Sequence, residues 1–177
     1  MKEIREKLIN DMRKIFGTDQ KRIDHAIAVL KYADQIQKTE GGDLLVITAA
    51  AILHDIGIHE AERKYNSAAG KYQEIEGPHI AKEILTNHNI DKSAIEHICK
   101  IIANHHSDKD IDTTEFRIIW DADWLVNIPE EYPEANQVKL QRLVQKVFKT
   151  PRGQQIAFEE IILKKGSGLF FNAINTY

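Results

Sequence analysis

The pair His54-Asp55 ends the most apolar stretch of the chain, Ile47-Thr48-Ala49-Ala50-Ala51-Ile52-Leu53. A helix this apolar is central, so it delivers two strongly polar side chains into the interior. Leaving a buried carboxylate unpaired costs several kcal/mol, and a divalent cation removes that cost. An imidazole and a carboxylate from one helical turn can both reach a single ion. The alternative, a helix end in solvent, fits poorly with the apolar run that precedes it.

Other residues of the same chemistry fall on inward faces. A helix turns about 100° per residue. In the segment 20–38, Asp24, Lys31, Gln35 and Lys38 share a polar face, whereas His25 lies with Val29, Tyr32 and Ile36. Within 114–127, Asp123 aligns with the apolar Phe116, Ile119 and Val126, and Asp121 falls roughly 160° away, near Arg117. Asp123 is therefore the better inward ligand, and Asp121 is expected to support a neighbouring group or pair with Arg117. In 93–105 the apolar face is Ile95, Ile98, Cys99 and Ile102, extended by His105 and His106. Two inward histidines suit a second metal or phosphate contacts; one buried and one exposed is the alternative. His97 lies with Lys100 and Asn104 and is expected in solvent. His79 aligns with Lys82, Glu83 and Thr86, a surface pattern, and His59 and His88 read as loop or surface residues.

The elements that must position these groups are helical, since apolar residues recur at helical spacing and no strand alternation stands out. The periodicity predicts helices over 2–16, 20–38, 43–55, 78–88, 93–105, 114–127, 136–149 and 151–164. Gly17, Gly41-Gly42, Gly57, Gly77-Pro78, Pro129, Pro133 and Gly166 supply the stops. Ser93 with Glu96 suits a capping box, and Pro78 suits a first helical turn. Residues 58–77 form the longest patternless segment, and a long loop is often functional.

Composition narrows the setting. The chain is long enough for one domain with a substantial core. Its 42% apolar and 29% charged residues are those of an ordinary globular protein. A net charge of -3 argues against general nucleic-acid or membrane-surface binding. From Asp108 to Glu134 there are nine acidic and two basic residues, whereas 137–165 holds seven basic and two acidic. The lone Cys99 excludes an intrachain disulfide and suits a reducing compartment. With no signal-peptide pattern at Met1 and no apolar run near the ~20 residues of a bilayer span, the expected location is cytoplasmic.

Taken together, Arg22-Ile23-Asp24-His25, Ala51-Ile52-Leu53-His54-Asp55-Ile56-Gly57 and Asp121-Ala122-Asp123-Trp124-Leu125 resemble the HD-domain superfamily in order and spacing. The resemblance covers roughly residues 20–127 and implies one all-α helical-bundle domain over 1–177, with C-terminal helices in 136–177. It implies a divalent metal held by His25, His54, Asp55 and Asp123, and hydrolysis of a phosphate ester or anhydride. Glu76-Gly77-Pro78-His79 and Asn104-His105-His106 are similar to segments that supply ligands to a second ion, so His79 and His105 are implied as further ligands, with Asp55 as the bridge. One or two ions are expected, among Mn, Fe, Mg, Co, Ni and Zn. No Gly-Tyr-Pro follows His105-His106, so cyclic dinucleotide cleavage is not the first expectation.

On this reading the metal activates water and Asp55 is central to catalysis. Arg22 is expected to hold phosphate through paired donors, with Lys64 and Lys71 as weaker candidates. His106 and Glu76 are both candidates to move protons. The expected partner is a nucleotide or other small phosphorylated metabolite, and Phe170 and Phe171 leave a homodimer open. Two other readings stand beside hydrolysis: an HD-fold di-iron oxygenase, and a non-enzymatic nucleotide-binding regulatory module.

Overall fold

In the computed structural model, which describes residues 1–163, the chain folds into helices α1 (Lys2–Phe16), α2 (Gln20–Glu40), α3 (Leu44–Leu53), α4 (Ile58–Tyr65), α5 (Gly70–Asn87), α6 (Lys92–Ile102), α7 (Thr114–Glu131), α8 (Gln137–Val147) and α9 (Pro151–Ala157). A π-helical segment, Phe158–Leu163, continues α9. No strand occurs among the described residues. Phe170, Phe171 and the end of the C-terminal basic segment lie outside them.

α3 is the axis of the bundle. Every residue from Val46 to Leu53 is buried, and α1, α2, α6 and α7 pack around it. The stretch Leu44–Tyr65 contains a segment long and apolar enough to cross a membrane, but 72% of that segment is buried inside the fold, as expected of a core helix. α2 lies along both α3 and α7. That arrangement brings the His25 turn, the end of α3 and the middle of α7 together.

Side-chain caps start most of these helices at short polar residues. Asp43 accepts from Leu45 N and Val46 N ahead of α3, Thr113 from Phe116 N ahead of α7, and Asn136 from Lys139 N ahead of α8. Each satisfies backbone donors that the first helical turn leaves unpaired. At α6 the cap is Asp91, which accepts from Ser93 N at 2.9 Å, so the expected Ser93 capping box is replaced by a cap two residues earlier.

The largest departure from expectation lies in 58–77, where helices α4 and α5 replace the predicted loop. Gly77-Pro78 does not stop a helix; it sits inside α5. The glycine serves a close approach instead. A Cβ on Gly77 would meet Ile102 Cγ2 at 2.8 Å, and one on Gly57 would meet Gly77 N at 2.5 Å. The backbone after His54-Asp55 therefore rests directly on α5. Pro78 costs one helical rung, and tertiary packing of Gln73, Glu76, Gly77 and Ala81 overrides that local preference. Pro129 is likewise inside α7, which runs four residues beyond its predicted end, to Glu131.

Candidate metal centre

His54 and Asp55 emerge in the tight turn between α3 and α4, His25 from α2, Asp123 from α7, and His105 just beyond α6. His25 Nε2 lies 3.2 Å from His54 Nε2, 3.0 Å from Asp123 Oδ1 and 3.6 Å from Asp55 Oδ2. His54 Nε2 lies 3.4 Å from Asp55 Oδ2 and 3.6 Å from Asp123 Oδ1. Donors at bond lengths near 2.1 Å from one ion stand roughly 3.0–3.4 Å apart, so these spacings have the scale of edges of a coordination shell.

The tautomers point the same way. His54 Nδ1 is 2.9 Å from Ala51 O and His105 Nδ1 is 2.7 Å from Ile102 O. A carbonyl only accepts, so each Nδ1 carries the hydrogen and each neutral ring turns an Nε2 lone pair to the cluster. This is the outer-sphere arrangement of metal-ligating histidines. Those lone pairs face carboxylate oxygens, which are also acceptors. His105 Nε2, 3.4 Å from Asp55 Oδ1, is buried without a hydrogen-bond partner. A cation is needed between such groups, either protons or a metal ion. The residues present thus fit a divalent ion.

The electrostatics express the same need. Burial opposes charge on His54, yet the Asp55 carboxylate beside it, aided by Asp123, raises its pKa to about 9. Burial also opposes charge on Asp55, but the field of His54 and contacts with His54 and His105 hold it well below the usual carboxylate range. Asp123 is lowered in the same sense: burial resists, and the His25 contact prevails. His106 behaves oppositely. Although His106 as a whole is exposed, in contrast to the buried His105, desolvation of its ring by surrounding protein and then the neighbouring His105 push it down to about 4, so it stays neutral near pH 7.

Two overlapping donor groups arise, His25-His54-Asp55 and Asp55-His105-His106. Asp55 directs Oδ2 to the first and Oδ1 toward His105 of the second. Beside them opens a cavity of about 380 Å³, whose lining includes Arg22, His25, Asp55, Gln73, His106 and Asp123. Arg22 is positioned by Asp19 Oδ2 at 3.0 Å and Glu62 Oε1 at 2.7 Å. Gly70 is required here, because a Cβ would lie 2.6 Å from the His106 ring. His106 Nε2 lies 3.3 Å from Gln73 Oε1.

Several expected residues lie elsewhere. His79 is exposed on α5, as its helical face indicates, so a ligand role implied by resemblance has no geometric support. Glu76 is buried but tied to Lys64 Nζ at 2.7 Å and Tyr65 Oη at 2.8 Å, away from the cavity. It joins α4 to α5 and is not positioned to move a proton. Lys64 is occupied by Glu60 and Glu76, and Lys71 lies over the Tyr72 ring; neither lines the cavity.

Of the two roles expected for Asp121, it supports a neighbouring group and does not pair with Arg117. Arg117 pairs with Asp112, whereas Asp121 is fully buried and accepts from Lys149 N, Thr150 N and Thr150 Oγ1 at 2.6–2.8 Å. The segment leading into α9 covers the face of α7 that helical counting places opposite Asp123. His97 is half-buried beside Thr113 Oγ1 at 2.9 Å, so it too is not simply solvated.

Sequence reading missed Gln73, Asn127, Glu130, Glu131 and Lys21 as cavity residues. Gln73 lies in a segment without clear periodicity, and Pro129 reads as a stop just before the two glutamates. Lys21 carried a usable signal: it immediately precedes Arg22 in the turn that presents His25.

A sequence model of the HD domain matches residues 22–128, the span holding His25, His54, Asp55 and Asp123. The chain belongs to the HD-domain family. The HD fold is also seen in solved structures. A predicted HD superfamily hydrolase from an uncultured Thermotogales bacterium is similar at TM-score 0.71 and 22% identity, over 95% of this chain and 91% of that one. An HD-superfamily hydrolase from Bacillus thuringiensis is similar at TM-score 0.66 and 20% identity, over 99% of both chains. No curated protein matches.

Proposed function

We propose that this HD domain is a divalent-metal-dependent phosphohydrolase acting on a phosphate ester or anhydride of a nucleotide or other small metabolite. The observation that carries the reading is the buried donor set, with an unpartnered His105 Nε2, beside a cavity that also presents Arg22. The hydrolase names of the two structural neighbours agree with it.

His25, His54, Asp55 and Asp123 would hold the ion, and His105 and His106, rather than His79, would serve a second one. A divalent ion there supplies Lewis acidity, making water nucleophilic near neutral pH and offsetting charge on the phosphoryl group. Arg22, fixed by Asp19 and Glu62 one turn before His25 on α2, would bind phosphoryl oxygens. Water adds to phosphorus, the bond to the leaving oxygen breaks, and the proton lost by water ends on that oxygen. In the one-ion form His106 is neutral, close to Gln73 and able to relay that proton.

The test is turnover of p-nitrophenyl phosphate and a panel of small phosphate esters with added Mn²⁺, Co²⁺ or Mg²⁺. Metal-dependent release of phosphate, abolished by chelator, is expected. Nucleotide binding without turnover under every metal would transfer the site to a regulatory module, and substrate-dependent O₂ consumption by iron-loaded protein would transfer it to an oxygenase.

A further inference from the structure

The cavity mouth carries a charge pattern that hydrolysis alone does not explain. One side is the start of α2, with Lys21 and Arg22; the other is the end of α7, with Asn127, Glu130 and Glu131. Both cations are already engaged. Lys21 Nζ meets Glu130 Oε2 across the mouth at 3.1 Å, and Arg22 is held by Asp19 and Glu62. Glu131 has no ion-pair partner among the described residues and also lines a smaller chamber of about 110 Å³ beside His105 and Trp124. The ionised groups lining the main cavity are therefore two cations, Lys21 and Arg22, against four carboxylates, Asp55, Asp123, Glu130 and Glu131. One divalent ion at the floor offsets Asp55 and Asp123, and at the mouth the pairing of Lys21 with Glu130 leaves Glu131 as an uncompensated carboxylate on the α7 side.

Such a cavity accepts one phosphate well. An ion at its floor and Arg22 on its α2 side together engage a single phosphoryl group. A second or third phosphate would extend toward Glu130 and Glu131, where like charges repel and the remaining cation, Lys21, is already paired with Glu130. A hydroxyl or ammonium group at the same place would instead donate to carboxylates. The volume, about 380 Å³, lies toward the small end of small-molecule pockets.

We infer that the substrate is a small phosphate monoester whose leaving group carries hydrogen-bond donors, and that Glu130 and Glu131 select against di- and triphosphate chains. This rests on the phosphohydrolase reading above. The donors can be the hydroxyls of a polyol or the ammonium of an amino alcohol, and the two are separable by experiment.

The experiment compares kcat/KM, with added Mn²⁺, for p-nitrophenyl phosphate, glycerol phosphate, O-phosphoethanolamine, and adenosine mono- and triphosphate. The adenosine pair shares its base and sugar, so its ratio isolates the phosphate chain. Wild-type protein should favour the monophosphate by about tenfold or more, the scale of like-charge repulsion in a partly exposed cleft. Both donor-bearing esters should exceed p-nitrophenyl phosphate. A lead for O-phosphoethanolamine identifies charge as the selected feature; parity with glycerol phosphate identifies hydroxyl donors.

In E130Q/E131Q the mono-to-triphosphate ratio should narrow by about tenfold, with E131Q alone moving it part of the way. Both glutamates are exposed at a helix end, and unchanged circular-dichroism melting will verify folding. Equal wild-type efficiency on mono- and triphosphate, or a ratio unmoved in the double variant, overturns the inference while p-nitrophenyl phosphate turnover leaves the hydrolase reading standing. No turnover of any ester under any metal overturns both.

Discussion

Asp121 and Asp123 sit two residues apart on α7, both buried, and do opposite things. Asp121 faces the segment leading into α9, where two backbone N–H groups and a hydroxyl donate to it. Asp123 faces His25 and His54, whose ring nitrogens cluster with carboxylate oxygens. One carboxylate is closed by donors the chain supplies itself. The other belongs to a group of acceptors that requires a cation. Residue type and burial do not separate an anchor from a metal site; the supply of donors does.

Breaking the cation side should have the largest effect. Asp55→Ala removes the group shared by both donor sets, and both bound metal and turnover should fall below detection while far-UV circular dichroism persists. His105→Ala should be milder, weakening metal affinity by about 10–100-fold in a chelator competition titration, a loss typical of removing one contributor to a metal site.

Breaking the anchor should reverse the pattern. Asp121→Ala strands buried donors at Lys149 and Thr150, costing about 2–4 kcal/mol, roughly 5–12 °C in Tm. Metal content should stay stoichiometric, and turnover per folded molecule within about twofold, because the lesion lies on the far face of α7.

A pH series sharpens the contrast. Burial raises the Asp121 pKa to about 6 against its three donors. The folded value lies above the unfolded one, so this group's contribution is fully present below about pH 4 and lost as pH rises through about 6. The Tm of wild type relative to Asp121→Asn should therefore fall across that window; a flat difference would show that the donors, not burial, set the ionisation.

How much of this was legible depended on which faces had a single neighbour. His25, Asp123 and His105 were readable because α2, α7 and α6 each turn one apolar stripe inward. His54-Asp55 was readable because a wholly apolar helix must end somewhere buried. The partner of Asp121 was not, since the segment leading into α9 covers a second, polar side of α7 and helical counting recognises only the apolar stripe. Residues 58–77 were not, because Gly57 and Gly77 are there for backbone contact, while a sequence shows glycine only as a breaker. His79 illustrates the converse: its face counted as surface, it is exposed, and only resemblance made it a ligand. His79→Ala should accordingly leave metal stoichiometry unchanged, the smallest effect of the series.

The most direct test of the central claim is elemental analysis of protein purified without chelators, run in parallel on wild type, Asp121→Asn and Asp55→Ala. At least one divalent ion per chain is expected in the first two and none in the third. Metal-free wild type that cannot be reloaded, or an Asp55→Ala protein that keeps its ion, would contradict the account.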